Sequence, residues 1–404
     1  MQTHGNIRSR ADLDWVAAHC EHVLTLFSGG LDSSYVLHAL AGKRCKVTAL
    51  TVDLGDGVNI PDLQQITAHF GANLRVIDGC QRFAEEAVLP AVRAQARYMG
   101  MYPISSSLSR PVIAQYAVQL ALELGCDAIV HTANQSQNSL RRLNGALAQL
   151  GYTGHYGTPY EYTAISREEK IEALRAEGLT RFQARGISGD ANLWCREFES
   201  GSLDNPEAFW VPETLFEWTR PRTDLPDIEI MLHFAAGRPV AVDDFALPLT
   251  DLISAVNERA GAFGIGRYSG LEHLPSGEKV LEVREAPAAT LLMDAYRHLE
   301  MATLDAETLR EKQAMEQLWV REALEGRWFG GLRAAADAFI HATTRTVSGT
   351  VGYRLRAGAA DVCAIRASSP RYLVDRDGWE KRAARLGASR GLADLMHADL
   401  EKVR

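Results

Sequence analysis

Residues 27–34, Phe-Ser-Gly-Gly-Leu-Asp-Ser-Ser, put two glycines, three serines and one aspartate into a single short stretch. Gly29 and Gly30 let the backbone approach an anion closely, and Ser28, Ser33 and Ser34 add hydroxyls. With a strand before and a helix after, the unpaired N–H groups of the helix start at Leu31 point at the same spot. The helix dipole supplies only about 0.3–1 kcal/mol, so converging donors must carry most of the binding. Asp32 is placed to act on a metal ion bound to the phosphates. No G-x-x-x-x-G-K-[ST] string occurs, so no loop lysine reaches a γ-phosphate. A short Ser-Gly-Gly loop suits a pyrophosphate group, and cleavage between the α- and β-phosphates follows. An ordinary glycine-rich turn is the plainer reading; the S-G-G-x-D-S order favours the phosphate site.

Other residues have a chemical and a plain reading. Arg110, beside Pro111 at a helix start, is a ligand or a solvated cation. Arg141 and Arg142 share a helix, where one of the pair serves as a ligand or both face water. His131 ends a buried strand as a core histidine or a ligand contact. His19-Cys20-x-His22 resembles a metal cluster but lacks zinc spacing. Trp328 and Phe329 read as core.

These residues need a scaffold, and the first half supplies an α/β one. Strand signals at 22–28, 46–53, 73–79 and 127–133 alternate with helical signals at 31–42, 60–71, 82–98 and 108–124. Such alternation predicts a parallel, Rossmann-like sheet covered on both faces, with ligands at the carboxyl ends of its strands. The second half changes to α+β. It shows a hairpin over 228–244 turning at Gly237 and a helix over 248–261 opened by Thr250. Helices over 286–302 and 306–325 and late strands at 346–358 and 360–368 follow. Gly178, Gly186 and Gly189 mark a boundary near 180–190. The expected organisation is an N-terminal extension (1–20), a nucleotide-binding domain (21–182), a second domain (183–374), to which the resemblance given below assigns the synthetase and oligomerisation roles, and a C-terminal helix (375–404).

The chain has 404 residues, 46% of them hydrophobic and 23% charged, as expected of a globular protein with a substantial core. Its 43 basic and 51 acidic residues leave a net charge of −8, which argues against a nucleic-acid partner. No apolar run spans a bilayer and no secretory signal is evident at Met1–Trp15, so no membrane partner and a cytoplasmic location are expected. The six cysteines form no C-x-x-C pair, which fits a reduced compartment.

Ser28-Gly-Gly-Leu-Asp-Ser33 resembles the PP-loop of the ATP pyrophosphatases, whose fold is adenine nucleotide alpha hydrolase-like. Further segments, in order, resemble the argininosuccinate synthase family: Tyr102-Pro-Ile-Ser-Ser-Ser-Leu-Ser-Arg-Pro111, His131-Thr-Ala-Asn134 with Asn138-Ser-Leu-Arg-Arg142, Ile187-Ser-Gly-Asp-Ala-Asn-Leu193, Gly264-Ile-Gly-Arg267 and Glu285-Ala-Pro-Ala-Ala289. The resemblance implies ATP with Mg²⁺ on Phe27, Ser28, Gly29, Gly30, Leu31, Asp32, Ser33 and Ser34, beside Val52, His131 and Thr132. It implies an amino-acid-like ligand on Tyr102, Ser107, Asn138, Arg142, Ser188 and Glu272, with Ser106 adjacent, and catalytic roles for Asp32, Arg110 and Arg142. It also implies a homotetramer joined through the second domain and the C-terminal helix.

The resemblance breaks where substrates meet. The family's aspartate-binding Thr corresponds to Asn134 and its Asp to Ser139, and its Gly-Lys-Gly is Gln135-Ser136-Gln137 here. A citrulline-contacting Ser corresponds to Glu197 and a citrulline-contacting Tyr to Arg284. The expected activity is therefore AMP- and pyrophosphate-forming C–N ligation with altered substrates in a specialised biosynthesis. Plain joining of citrulline and aspartate is the alternative. A tRNA-thiolating enzyme would want paired cysteines and a basic surface, and a silent scaffold would not need the loop.

Overall fold

The computed structural model describes residues 6–182, 187–222 and 225–389. Gly186 and the tail 390–404, singled out above, lie outside the described residues. Ser9 and Asp12 form a reciprocal capping box that starts α1 (Arg10–His19), and Leu13, Val16 and Ala17 bury its inner face. Ile7 also bridges Gly157 at the sheet edge.

The aliphatic runs of the first half form five parallel strands: β1 (His22–Leu26), β2 (Lys46–Asp53), β3 (Asn73–Asp78), β4 (Ala128–Val130) and β5 (His155–Gly157). Their order is β3-β2-β1-β4-β5, with Val23 of β1 paired to Val47 on one side and Ala128 on the other. Helices α2 (Leu31–Leu40), α3 (Ile60–His69), α4 (Ser106–Leu124), α5 (Ser139–Gln149) and α6 (Arg167–Ala176) complete this half. The order reverses between β1 and β4, which opens a crevice at the strands' carboxyl ends.

The second half contains two antiparallel sheets. β6 (Ser188–Asn192), β7 (Cys195–Glu199), β11 (Arg267–His273) and β12 (Lys279–Glu285) form one, in the order β11-β12-β7-β6. The other has the order β10-β9-β8-β13-β14, built from β8 (Ile228–Ala235), β9 (Arg238–Val242), β10 (Phe245–Ala246), β13 (Gly349–Arg356) and β14 (Ala359–Ala367). Helices α7 (Leu249–Gly261), α8 (Pro287–Thr303), α9 (Ala306–Leu324), α10 (Gly331–Thr343) and α11 (Arg376–Ser389) follow in chain order. The face of α8 carrying Leu291, Leu292, Ala295 and Tyr296 is fully enclosed and centres the larger core.

Three expectations change. The helix expected over 82–98 runs instead over Cys80–Arg93, with a wider π-turn at Ala84–Val88. Pro90 removes an N–H donor there, and Arg97–Tyr98 then pairs with Tyr102–Pro103 as a small hairpin. Pro248 rather than Thr250 precedes the first turn of α7. The strand expected over 127–133 stops at Val130, freeing His131 and the residues after it to turn into the crevice.

Candidate functional site

β1 ends at Leu26, and the buried Phe27 passes the chain into the loop; Thr51 Oγ1 donates to the Phe27 carbonyl at 2.6 Å and ties the ends of β1 and β2 together. Gly29 sits at φ +74, a region that disfavours any other residue. Gly30 is the N-cap of α2 and offers no side-chain cap, so the first N–H groups of the helix remain available to a ligand. Ser33 Oγ lies 3.3 Å from Ser28 Oγ and donates to the Gly30 carbonyl at 3.2 Å, which fixes the loop's shape.

Asp32 is not isolated. Lys170 of α6 donates to Asp32 Oδ1 at 2.8 Å, and its ammonium lies 4.1 Å from the Tyr160 ring centre. The Tyr160 hydroxyl donates to the Asp32 carbonyl at 2.9 Å. A lysine therefore does stand beside the loop, but it comes from a helix 138 residues away in sequence.

A cavity of about 930 Å³ runs from this loop, between β1 and β4, to the sheet β11-β12-β7-β6. Of the residues singled out from the sequence, Phe27, Ser28, Gly29, Gly30, Leu31, Asp32, Ser33, Val52, His131 and Thr132 line the end at this loop. Ser106, Arg110, Asn138, Ser139, Arg142, Ser188, Glu197 and Glu272 line the other. Ser34, Tyr102, Ser107, Asn134 and Arg284 do not line it. Asn134 is used locally, its Oδ1 accepting from the Ser136 amide and hydroxyl. Ser34 and Ser107 are buried behind the surface of the cavity.

The far end is a chain of buried ion pairs. Arg142 donates to Glu272 Oε1 at 2.6 Å, to Ser106 Oγ at 2.8 Å and to the Leu324 carbonyl at 3.2 Å. Arg284 reaches Glu272 Oε2 at 3.0 Å and Glu197 Oε1 at 2.6 Å. Burial alone would raise the Glu272 pKa, but the two guanidiniums and their hydrogen bonds hold it below the usual carboxylate range. Burial pushes the Glu197 pKa up, although Arg284 opposes the shift. The Arg284 guanidinium covers the Tyr102 ring at 4.5 Å, and the Tyr102 hydroxyl is buried without a partner. The Tyr102 ring lies so close to β11 that a side chain at Gly270 would meet it at 2.7 Å. Arg110 links the two ends, donating to Asp190 at 2.6 Å and to Ser139 Oγ at 3.1 Å.

His131 is both a core residue and a lining one. Its Nε2 donates to Asn144 Oδ1 at 2.9 Å and its Nδ1 accepts from the Ala133 amide, and burial lowers its pKa to about 4, so it is neutral. His19 and His22 are used structurally: His19 Nδ1 bonds the Trp15 carbonyl and His22 Nε2 bonds Thr48 Oγ1. Among the described residues no cluster of His, Cys, Asp or Glu is arranged for a metal, and no helix is long and apolar enough to cross a membrane.

Sequence reasoning missed Lys170, Glu199 and Glu282. Glu199 and Glu282 had a signal, the alternation Glu197-x-Glu199 and Glu282-x-Arg284, which puts each pair on one face of a strand. Lys170 had none.

A family model described as the arginosuccinate synthase N-terminal HUP domain matches residues 22–180, and one described as the arginosuccinate synthase C-terminal domain matches residues 187–385. The chain is 35% identical over 360 residues to an argininosuccinate synthase of Rubrobacter xylanophilus, covering 88% of this chain and 87% of that one. It is 36% identical over 347 residues to that of Parasynechococcus marenigrum, covering 84% and 86%. Against that of Oceanobacillus iheyensis it is 34% identical over 370 residues, covering 90% and 88%. With both halves matched in order and identity above a third across most of its length, the chain belongs to the argininosuccinate synthase family.

Proposed function

We propose that this ATP-dependent ligase adenylates an oxygen of an amino-acid-like substrate and joins that substrate to an amine, and that its substrate pair is not citrulline with aspartate. A ureido, amide or carboxyl oxygen attacks the α-phosphate of ATP. The O–P bond forms, the bond between the α- and β-phosphates breaks, and pyrophosphate leaves. The amine then attacks the activated carbon, the C–O bond to AMP breaks, and the amine gives up a proton. The loop N–H groups and the Ser28 and Ser33 hydroxyls suit the leaving pyrophosphate, and Lys170 holds Asp32 from behind the cavity wall. A magnesium ion carried by the phosphates would be held by Asp32, and it would supply neutralisation of the phosphate charge. No side chain need act as a covalent nucleophile, because positioning carries much of such a reaction.

The observation carrying the altered-substrate reading is the buried chain Arg142–Glu272–Arg284–Glu197. Groups that the family resemblance assigns to citrulline are bonded to one another, and Arg284 covers Tyr102. The carboxylate and lysine expected near aspartate are Ser139 and Ser136.

The test is exchange of labelled pyrophosphate into ATP across a panel of ureido, amide and carboxylate compounds. Exchange with at least one of them is expected. Exchange with none would leave a silent nucleotide-binding scaffold and overturn the proposal.

A further inference from the structure

The sheet β11-β12-β7-β6 turns one face to the cavity, and strand pairing sets its charges in cross-strand rows. Ser188 pairs with Glu199, Asp190 with Glu197, and Glu197 with Arg284. Continuing the same antiparallel register by one residue sets Glu199 opposite Glu282, and both line the cavity. Like charges directly opposite in a sheet are destabilising. Arg284 answers this only in part: it is shared among three carboxylates, pairing with Glu197 at 2.6 Å, Glu272 at 3.0 Å and, most distantly, Glu282 at 3.6 Å. Glu199 receives only the Gln137 amide, at 3.1 Å, and has no ion-pair partner among the described residues. Burial first, then the neighbouring acids, pushes both carboxyls above the usual range.

An independent observation points the same way. Asn138 is buried, at 7% exposure, and lines the same cavity. Its amide donates to Glu272 Oε1 and to the His273 carbonyl, both at 2.9 Å, while its Oδ1 has no partner among the described residues. A buried acceptor left unsatisfied is costly, so a donor from a ligand is the natural complement. The acids are spread along strands rather than gathered about a point, and among the described residues they form no metal-holding group. The wall asks for an organic cation with several N–H donors.

We propose that one of the two organic substrates carries a side-chain ammonium or guanidinium group, distinct from any α-ammonium, that this group rests on Glu199 and Glu282, and that the same ligand donates to Asn138 Oδ1. This deepens the ligase reading above and rests on it. Neutral citrulline and the dicarboxylate aspartate both lack such a side-chain cation.

The experiment is isothermal titration of the full-length protein, with ATP and Mg²⁺ present, using L-arginine against L-citrulline and L-lysine against L-norleucine. Each pair shares a similar skeleton and differs in side-chain charge. At least one cation should bind about 10-fold or more tighter than its neutral partner, the scale of one charge-assisted hydrogen bond. Glu282→Gln should abolish that preference while ATP binds as before. The substitution removes a like-charge conflict, so retained ATP binding also reports the fold. Equal or tighter binding of both neutral partners, a preference surviving in Glu282→Gln, or no binding by any probe would overturn the inference. Pyrophosphate exchange on the same samples separates the two claims. Exchange without cation preference sinks this inference and keeps the ligase; cation preference without exchange by any compound does the reverse.

Discussion

Alanine in place of Asp32 lowers turnover by about 100-fold or more, the scale of losing one electrostatic stabiliser from a preorganised site. Asp32 sits in the first turn of α2, where a negative charge favours the helix start, and its Oδ1 holds the Lys170 ammonium at 2.8 Å beside the phosphate loop. Without the carboxylate the ammonium loses its anchor and the loop loses the charge that orients it. Stability changes little, because the Asp32 side chain is 38% exposed and water screens the pair. The measurement is steady-state pyrophosphate release with thermal unfolding as the control. Activity within about threefold of the parent, in a normally folded variant, would sink the assignment of residues 28–34 as a pyrophosphate cradle.

Glu272→Gln has the second large effect, and it falls on the fold of the site. Glu272 accepts from Arg142, Arg284 and Asn138, and its side chain is 4% exposed. Glutamine keeps the size but leaves two buried guanidiniums short of a counter-charge. Removing one partner of a buried pair costs about 3–5 kcal/mol. Chemical denaturation at neutral pH should show a loss of that order, and a loss under about 1 kcal/mol would mean that water reaches the network. The pH dependence has a fixed sign. Because the folded pKa of Glu272 is depressed, its contribution is full above the ordinary carboxylate pKa and is lost as pH falls through the folded value. The parent should therefore lose stability toward acid more steeply than the glutamine variant.

The parts of the fold legible in sequence are those with strong apolar patterning. Lys46–Asp53 is a strand over the span its composition implies, and the hairpin at Gly237 turns where expected. The cavity wall was not legible as strands. Ser-Gly-Asp-Ala-Asn (188–192) and Cys-Arg-Glu-Phe-Glu (195–199) lack the β-branched residues that mark a strand, because half of their side chains face a polar cavity rather than a core. The loop over 28–34 was legible as a loop because its parts are contiguous in the chain. Lys170 was not, since the fold brings it to Asp32 from α6 and no spacing rule reaches that far. The placement of Tyr102 behind Arg284 likewise depends on the pairing of Tyr268 with Arg284 and on the bare backbone at Gly270, which only the assembled sheet provides.

An adenylating ligase that has kept its ATP loop and changed its substrates should no longer join citrulline to aspartate. A site built to hydrogen-bond a particular group discriminates by about 10⁴-fold against a ligand that leaves its polar groups unpaired. The most direct measurement is steady-state formation of argininosuccinate from citrulline and aspartate at saturating ATP and Mg²⁺. The prediction is weak or absent product in a protein that still binds ATP. Turnover above about 1 s⁻¹, the ordinary enzymatic order, would contradict it and leave a plain argininosuccinate synthase with an unusual site.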